Sequence, residues 1–304
     1  MTLRTKYLEP WIQARENLER RDWLSKDKEK EETQTLIDKV YNALGSISWS
    51  ANIRGFSNTE RTVTLATYCT DEWLSDIQEN QMLDLLQRRL QHEPGGQQIK
   101  VESVYFYILL KRGYDARHFT CIWETRHALS SGLGPSCIGF LVNVNRNHWV
   151  AVIVNFNSRS ILYGDSLNQE PPNDMLAILH WWMHHHTGHR FTTRSLEITY
   201  QKDAFSCGLL SFNALAHHFL PMEYPLIAVS NVRNGRLKIL LDIIDQHLDQ
   251  AGVRHLQGRT LLTSLFDRAS SPSVKNISSP SLNPKPLLTL CDQKVLYLPK
   301  ARLG

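Results

Sequence analysis

Between Cys137 and Tyr163 three short apolar runs follow one another with almost no chain between them. Cys137–Val144, His148–Phe156 and Ile161–Tyr163 are rich in β-branched and aromatic residues, while Asn145-Arg146-Asn147 and Asn157-Ser158-Arg159-Ser160 are tight polar turns. Connections this short join antiparallel neighbours, so the stretch predicts a three-stranded meander. That geometry carries a chemical consequence. His148 opens the middle strand, and Asp165 closes the third in Gly164-Asp165-Ser166-Leu167. Antiparallel pairing sets the start of one strand beside the end of the next, so an imidazole and a carboxylate can meet at one edge of the sheet. Taken singly, His148 is an ordinary strand-end histidine and Asp165 an ordinary turn aspartate.

A second stretch supplies the group that such a pair would serve. Residues 201–213 read Gln-Lys-Asp-Ala-Phe-Ser-Cys-Gly-Leu-Leu-Ser-Phe-Asn. Ser195–Tyr200 alternates as a strand does, and Leu209, Leu210, Phe212, Leu215, Ala216 and Phe219 fall largely on one helical face. Ser206 is a candidate N-cap, which would put Cys207 in the first turn of the helix. A thiol at the positive end of a helix dipole loses its proton more easily, and the thiolate is the nucleophile. Gly208 would let a substrate carbonyl approach the backbone, and the amide of Gln201 could donate to an oxyanion. A lone cysteine on an apolar helix is more often inert core. The order His148, Asp165, Gln201, Cys207 is what argues for a nucleophile, a base and a group that orients the base.

Elsewhere the chain reads as helices around this centre. The mixed-sign run from Arg15 to Lys39 is a solvated helix face, with Ile37, Val40, Tyr41 and Leu44 at packing intervals before Gly45. Residues 71–90 form another helix, capped by Thr70 or Asp71, with Trp73 at its entrance and Asp76 just after. Val101–Leu110 is a strand or a buried helix. Residues 171–187 and Arg236–Leu248 are amphipathic helices, and 269–304, rich in Ser, Pro and Asn, reads as a mobile tail.

Composition excludes several classes. A net charge of +4 over 304 residues, with no basic block interleaved with aromatics, does not call for nucleic acid. No apolar run approaches a membrane span, and the charged N-terminus is no secretory signal. Five widely spaced cysteines without a Cys-x-x-Cys pair argue against a disulfide framework or a cysteine zinc site, and point to a reducing compartment, cytoplasm or nucleus. Consecutive histidines at 184–186 point in different directions on a helix and lack ligand-spaced acidic or cysteine partners, so no metal is assigned.

Over about residues 60–220 the sequence resembles the SUMO-protease family, the cysteine proteases of ubiquitin-like proteins that share a fold with the adenovirus protease. The resemblance rests on Trp73-Leu74-Ser75-Asp76, Asn147-His148-Trp149, Tyr163-Gly164-Asp165-Ser166-Leu167, and Gln201 with Ser206-Cys207-Gly208. Papain-like enzymes place cysteine before histidine, so the chain order is not theirs. Ser206 stands where the family has aspartate and Ser75 where it has asparagine, and the wording around Cys207 is similar to that of divergent fungal-type members.

The resemblance implies an α+β, papain-like/adenain-like cysteine protease fold, with a central, mainly antiparallel sheet flanked by helices. It implies Cys207 as nucleophile, His148 as base and then acid, Asp165 as its orienter and Gln201 as an oxyanion donor. Trp73 and Trp149 would wall a tunnel for a Gly-Gly tail, and Asp76 would bind the modifier or brace the site. The expected organisation is a charged helical arm (1–58), a protease domain (59–250) and a C-terminal extension (251–304). The expected enzyme is a monomer without cofactor, acting on a SUMO-like modifier and its conjugates. An acyltransferase using the same residues, or an inactive modifier-binding module, are the alternatives.

Overall fold

The structure, a computed structural model, describes residues 12, 16, 27–117 and 134–252. The expected tail, Cys121, Cys291 and most of the first charged segment lie outside the described residues. The meander is present as β2 (Cys137–Val144), β3 (His148–Asn155) and β4 (Ser160–Gly164), all antiparallel, with Val144 opposite His148 and Ala151 opposite Gly164. The turn between β2 and β3 has Asn145 and Arg146 both at positive φ (53° and 63°), the backbone that matches the twist of a hairpin. Short parallel strands extend each edge: β1 (Ile99–Val101) beside β2, and β5 (Thr192–Ser195) beside β4. The five-stranded sheet is therefore mixed, with the expected antiparallel centre and parallel margins.

The apolar runs are continuous rather than alternating because both faces of the sheet are covered. Trp149, Ala151 and Ile153 face one hydrophobic core and Val150, Val152 and Val154 the other. The first core is closed by α1 (Asp27–Gly45), α2 (Asp76–His92), α5 (Cys207–Phe219) and α6 (Val232–Gln250). The second is closed by α3 (Phe106–Asp115) and α4 (Asn173–Thr187), with Phe106 edge-on to both Phe140 and Trp182. Helix α1, within the stretch set apart as an arm, buries Ile37, Val40 and Leu44 in the first core. Among the described residues no helix is long and apolar enough to cross a membrane.

Three local expectations are corrected. Residues 196–200 form no strand. The ladder ends at Ser195, and Leu196 and Ile198 alternate because that extended segment lays them on the core. The helix expected over 71–90 starts at Asp76. Its cap is Ser75, which forms a reciprocal capping box with Gln78, so Trp73 precedes the helix on irregular chain. The undecided run 101–110 is divided between the end of β1 and the start of α3.

Helix α5 lies on β2 and β3 at close range. A Cβ on Gly139 would meet Leu215 Cδ1 at 2.7 Å, so the missing side chain on the strand admits the helix residue. Leu215 is fully buried, and truncating it leaves a cavity at this junction. Leu215→Ala is expected to cost about 3 kcal/mol, read from denaturant midpoints with an unchanged slope.

Candidate active site

The site forms where the first turn of α5 meets the ends of β3 and β4. Continuing the β3–β4 register one step past Ala151–Gly164 sets Asp165 opposite Val150, diagonal to His148. The side chains meet as that spacing requires: His148 Nε2 lies 2.6 Å from Asp165 Oδ1. Because the carboxylate accepts, Nε2 carries the hydrogen, and Nδ1 is left as the nitrogen that can take a proton. Asp165 is itself held by the Leu167 N–H (2.7 Å) on Oδ1 and the Tyr163 hydroxyl (3.3 Å) on Oδ2. Burial and the Asp165 charge push the Tyr163 phenol well up, so it stays a donor.

Cys207 is buried at the start of α5, within hydrogen-bonding reach of the imidazole. Burial alone would lower the His148 pKa. The hydrogen bonds and charges of Asp165 and Cys207 outweigh it and push the pKa up to about 9. Cys207, His148 and Asp165, distant in the chain, are thus brought together.

Ser206 does not cap the helix. Its hydroxyl donates to Asp203 Oδ2 (2.6 Å), and the same carboxylate accepts from the backbone N–H of Phe205 and of Ser206. Asp203 thereby ties down the loop before the nucleophile, a role that its Asp-x-Phe-Ser setting signals only as a local turn. Gln201 sits in this loop. Its Oε1 accepts from Ser166 (2.7 Å) and its Nε2 donates to the Asp203 carbonyl (3.0 Å), so the amide is fastened beside the site, bonded neither to His148 nor to Cys207.

The expected aromatic walls differ in exposure. Trp149 is buried and donates from Nε1 to the Leu74 carbonyl (3.1 Å), whereas Trp73 is 52% exposed and donates to the Ala204 carbonyl. Both indoles line, with Cys207, Ser75 and Asp76, a cleft of about 880 Å³. Asp76 accepts from the Tyr105 hydroxyl at 2.5 Å, which braces the mouth of the cleft. Arg236, which the helical pattern of α6 disguised as a surface residue, is buried. Its guanidinium donates to the carbonyls of Thr67 and Glu72 and lies over Phe205. The space above Gly208 is not open to a substrate carbonyl, because Glu79 Oε1 fills it.

Residues 124–250 match the family model of the Ulp1 protease family, C-terminal catalytic domain. Over those residues the chain is similar to that family. The family is one of cysteine peptidases, and the matched segment contains His148, Asp165, Gln201 and Cys207 but not Trp73 or Asp76. Solved structures show the same fold. The SUMO protease Ulp1 with its catalytic cysteine oxidised to a sulfinic acid is 22% identical, with a TM-score of 0.54 over 69% of this chain and 94% of that one. The Ulp1 protease domain in complex with Smt3, the yeast ortholog of SUMO, is 21% identical (TM-score 0.50; 68% and 94% covered). The Ulp1-like SUMO protease catalytic domain of Chaetomium thermophilum is 11% identical (TM-score 0.52; 70% and 90% covered). At these identities the likeness carries the fold alone. No curated protein sequence matches the chain.

Removing the charge from Asp165 tests the electrostatics. In Asp165→Asn the imidazole keeps its burial and loses its counter-charge. Its pKa is expected to fall from about 9 to near or below the ordinary 6.5, measured by NMR titration of the His148 ring.

Proposed function

We propose that this protein is a cysteine peptidase of the Ulp1 type that cleaves after the Gly-Gly C-terminus of a SUMO-like modifier, processing its precursor or releasing it from conjugates. The observation that carries the reading is Cys207, paired with the His148–Asp165 dyad, at the wall of a cleft bounded by two indoles. Flat rings can close over glycines, and any side chain on the tail would clash with them. The names of the similar structures, a SUMO protease and its domain bound to Smt3, supply the substrate class.

In this mechanism His148 Nδ1 takes the proton of Cys207, and Sγ attacks the carbonyl carbon of the terminal glycine. The negative charge moves to the carbonyl oxygen, where the Cys207 backbone N–H and the second N–H of the Gln201 amide donate. Collapse breaks the C–N bond, and the imidazolium returns its proton to the leaving amine. Water, deprotonated by His148, then attacks the thioester and releases the modifier as a carboxylate with the thiol restored. Asp165 holds the imidazole in the required tautomer throughout. Trp73, Trp149 and Asp76 position the tail. The protease domain expected over 59–250 takes in α1 as well, because Ile37, Val40 and Leu44 lie in its core, and the enzyme works as a monomer in the nucleus or cytoplasm. The acyltransferase and inactive-module readings gain no observation of their own from this site.

The test is covalent capture by SUMO and ubiquitin carrying a C-terminal thiol-reactive warhead. An adduct with SUMO that disappears in Cys207→Ala is expected, with Cys207→Ala still binding unmodified SUMO. Adducts that persist in Cys207→Ala, or none with either probe on folded protein, would overturn the reading.

A further inference from the structure

A second carboxyl stands behind the nucleophile, and the reaction above does not use it. Glu79 lies in the first turn of α2, where an acidic residue ordinarily faces water and complements the helix dipole. Here it turns inward. It is fully buried, and neither carboxyl oxygen has a hydrogen-bond partner. A Cβ built on Gly208 would fall 1.9 Å from Glu79 Oε1 and 3.4 Å from Trp149 Cδ1, so the carboxyl is enclosed between the start of α5 and the indole. Glycine at 208 makes room for this group.

The charged and titratable neighbours come from three elements. Cys207 lies on α5, Arg236 on α6, and Tyr68 on the 3-10 turn Thr62–Cys69. Tyr68 donates its own hydroxyl to the Gln78 carbonyl. Arg236 favours a carboxylate at Glu79, while burial and the proximity of Cys207 disfavour it and prevail, holding the pKa well above the usual carboxylate range. A carboxylate stripped of water and given no donor is far costlier than the neutral acid.

We propose that Glu79 is a positioning residue for the nucleophile, a neutral carboxylic acid packed against Gly208 that holds the start of α5 and sets a polar group without charge, rather than a negative charge, behind Cys207. A carboxylate and a thiolate in the same dry pocket would repel, so a reactive Cys207 requires a protonated Glu79. Glutamine reproduces the shape and the polarity without a titratable proton. Leucine reproduces the bulk alone.

The inference rests on Cys207 as the nucleophile, and its tests need neither modifier nor turnover. Iodoacetamide alkylation of Cys207, followed by mass spectrometry across pH, is expected to give the same midpoint for Glu79→Gln as for wild type. Glu79→Leu is expected to raise the midpoint by about one pH unit, a roughly tenfold slower reaction at a fixed pH below it. A leucine variant indistinguishable from wild type would reduce Glu79 to a space-filler and overturn the proposal. So would a glutamine variant with a lowered midpoint, which would show that Glu79 is charged in the native enzyme.

Thermal melting reads the protonation separately. An acid that stays protonated when folded but ionises at an ordinary carboxyl pKa when unfolded lowers stability as pH rises above about 4. The melting-temperature advantage of Glu79→Gln over wild type is therefore expected to widen between about pH 5 and about pH 8. A constant gap would overturn the neutral-acid assignment. Failure of SUMO capture with both results intact would strike the substrate reading and leave Glu79 in place.

Discussion

The docking of α5 onto β3 is the contact from which the site follows. Strand β3 begins with His148 and helix α5 begins with Cys207, so the imidazole and the thiol meet only if these elements hold a fixed offset. Apolar packing sets the distance, through Leu215 over Gly139, but apolar surfaces slide. A buried hydrogen bond removes that freedom: the Ser211 hydroxyl, four residues after Cys207, donates to the carbonyl of Trp149, the residue after His148, at 2.8 Å. Slippage would leave that carbonyl unsatisfied in the core, an expensive outcome. Positioning of the reactive pair is thus inherited from the core.

Much of this was readable from residues alone. The meander declared itself because its turns are too short for any other connection, and with it came the meeting of His148 and Asp165. Cys207 at a helix start followed from the switch to helical spacing after Gly208. What escaped has a common cause. Ser75, Asp203 and Ser206 each carry a short polar side chain that can cap, turn or donate, and which role wins depends on neighbours of a few residues' reach. The choice of Thr70 or Asp71 over Ser75 and the capping role given to Ser206 both failed there. The parallel edge strands escaped because three or four residues show no period, and exposed Thr192–Ser195 carries no apolar signature.

Glu79 and Arg236 were illegible for a stronger reason. Charged residues on amphipathic helices ordinarily face water, and only the tertiary arrangement shows these two turned inward. Both lie behind the cleft. Arg236 binds the carbonyl of Glu72 beside Trp73 and stacks over Phe205 beside the nucleophile loop, so one cation fastens two lips of the same groove. Buried polar groups of this kind add little net stability but restrict the arrangements that leave them satisfied.

The two indole hydrogen bonds of the cleft span the chain. Trp149 reaches back to Leu74, and Trp73 reaches the Ala204 carbonyl, 131 residues later. The groove is therefore absent from any fragment that stops short of residue 204, however well its first half folds. Closing so long a loop comes after local structure, since its entropy cost is met only by contacts made at the end. On the ribosome, the thiol of Cys207 and the Ala204 carbonyl that fastens Trp73 emerge together, after both indoles. A product that ends before residue 204 carries neither the fastened cleft nor the cysteine, so no half-built form of the site precedes the whole.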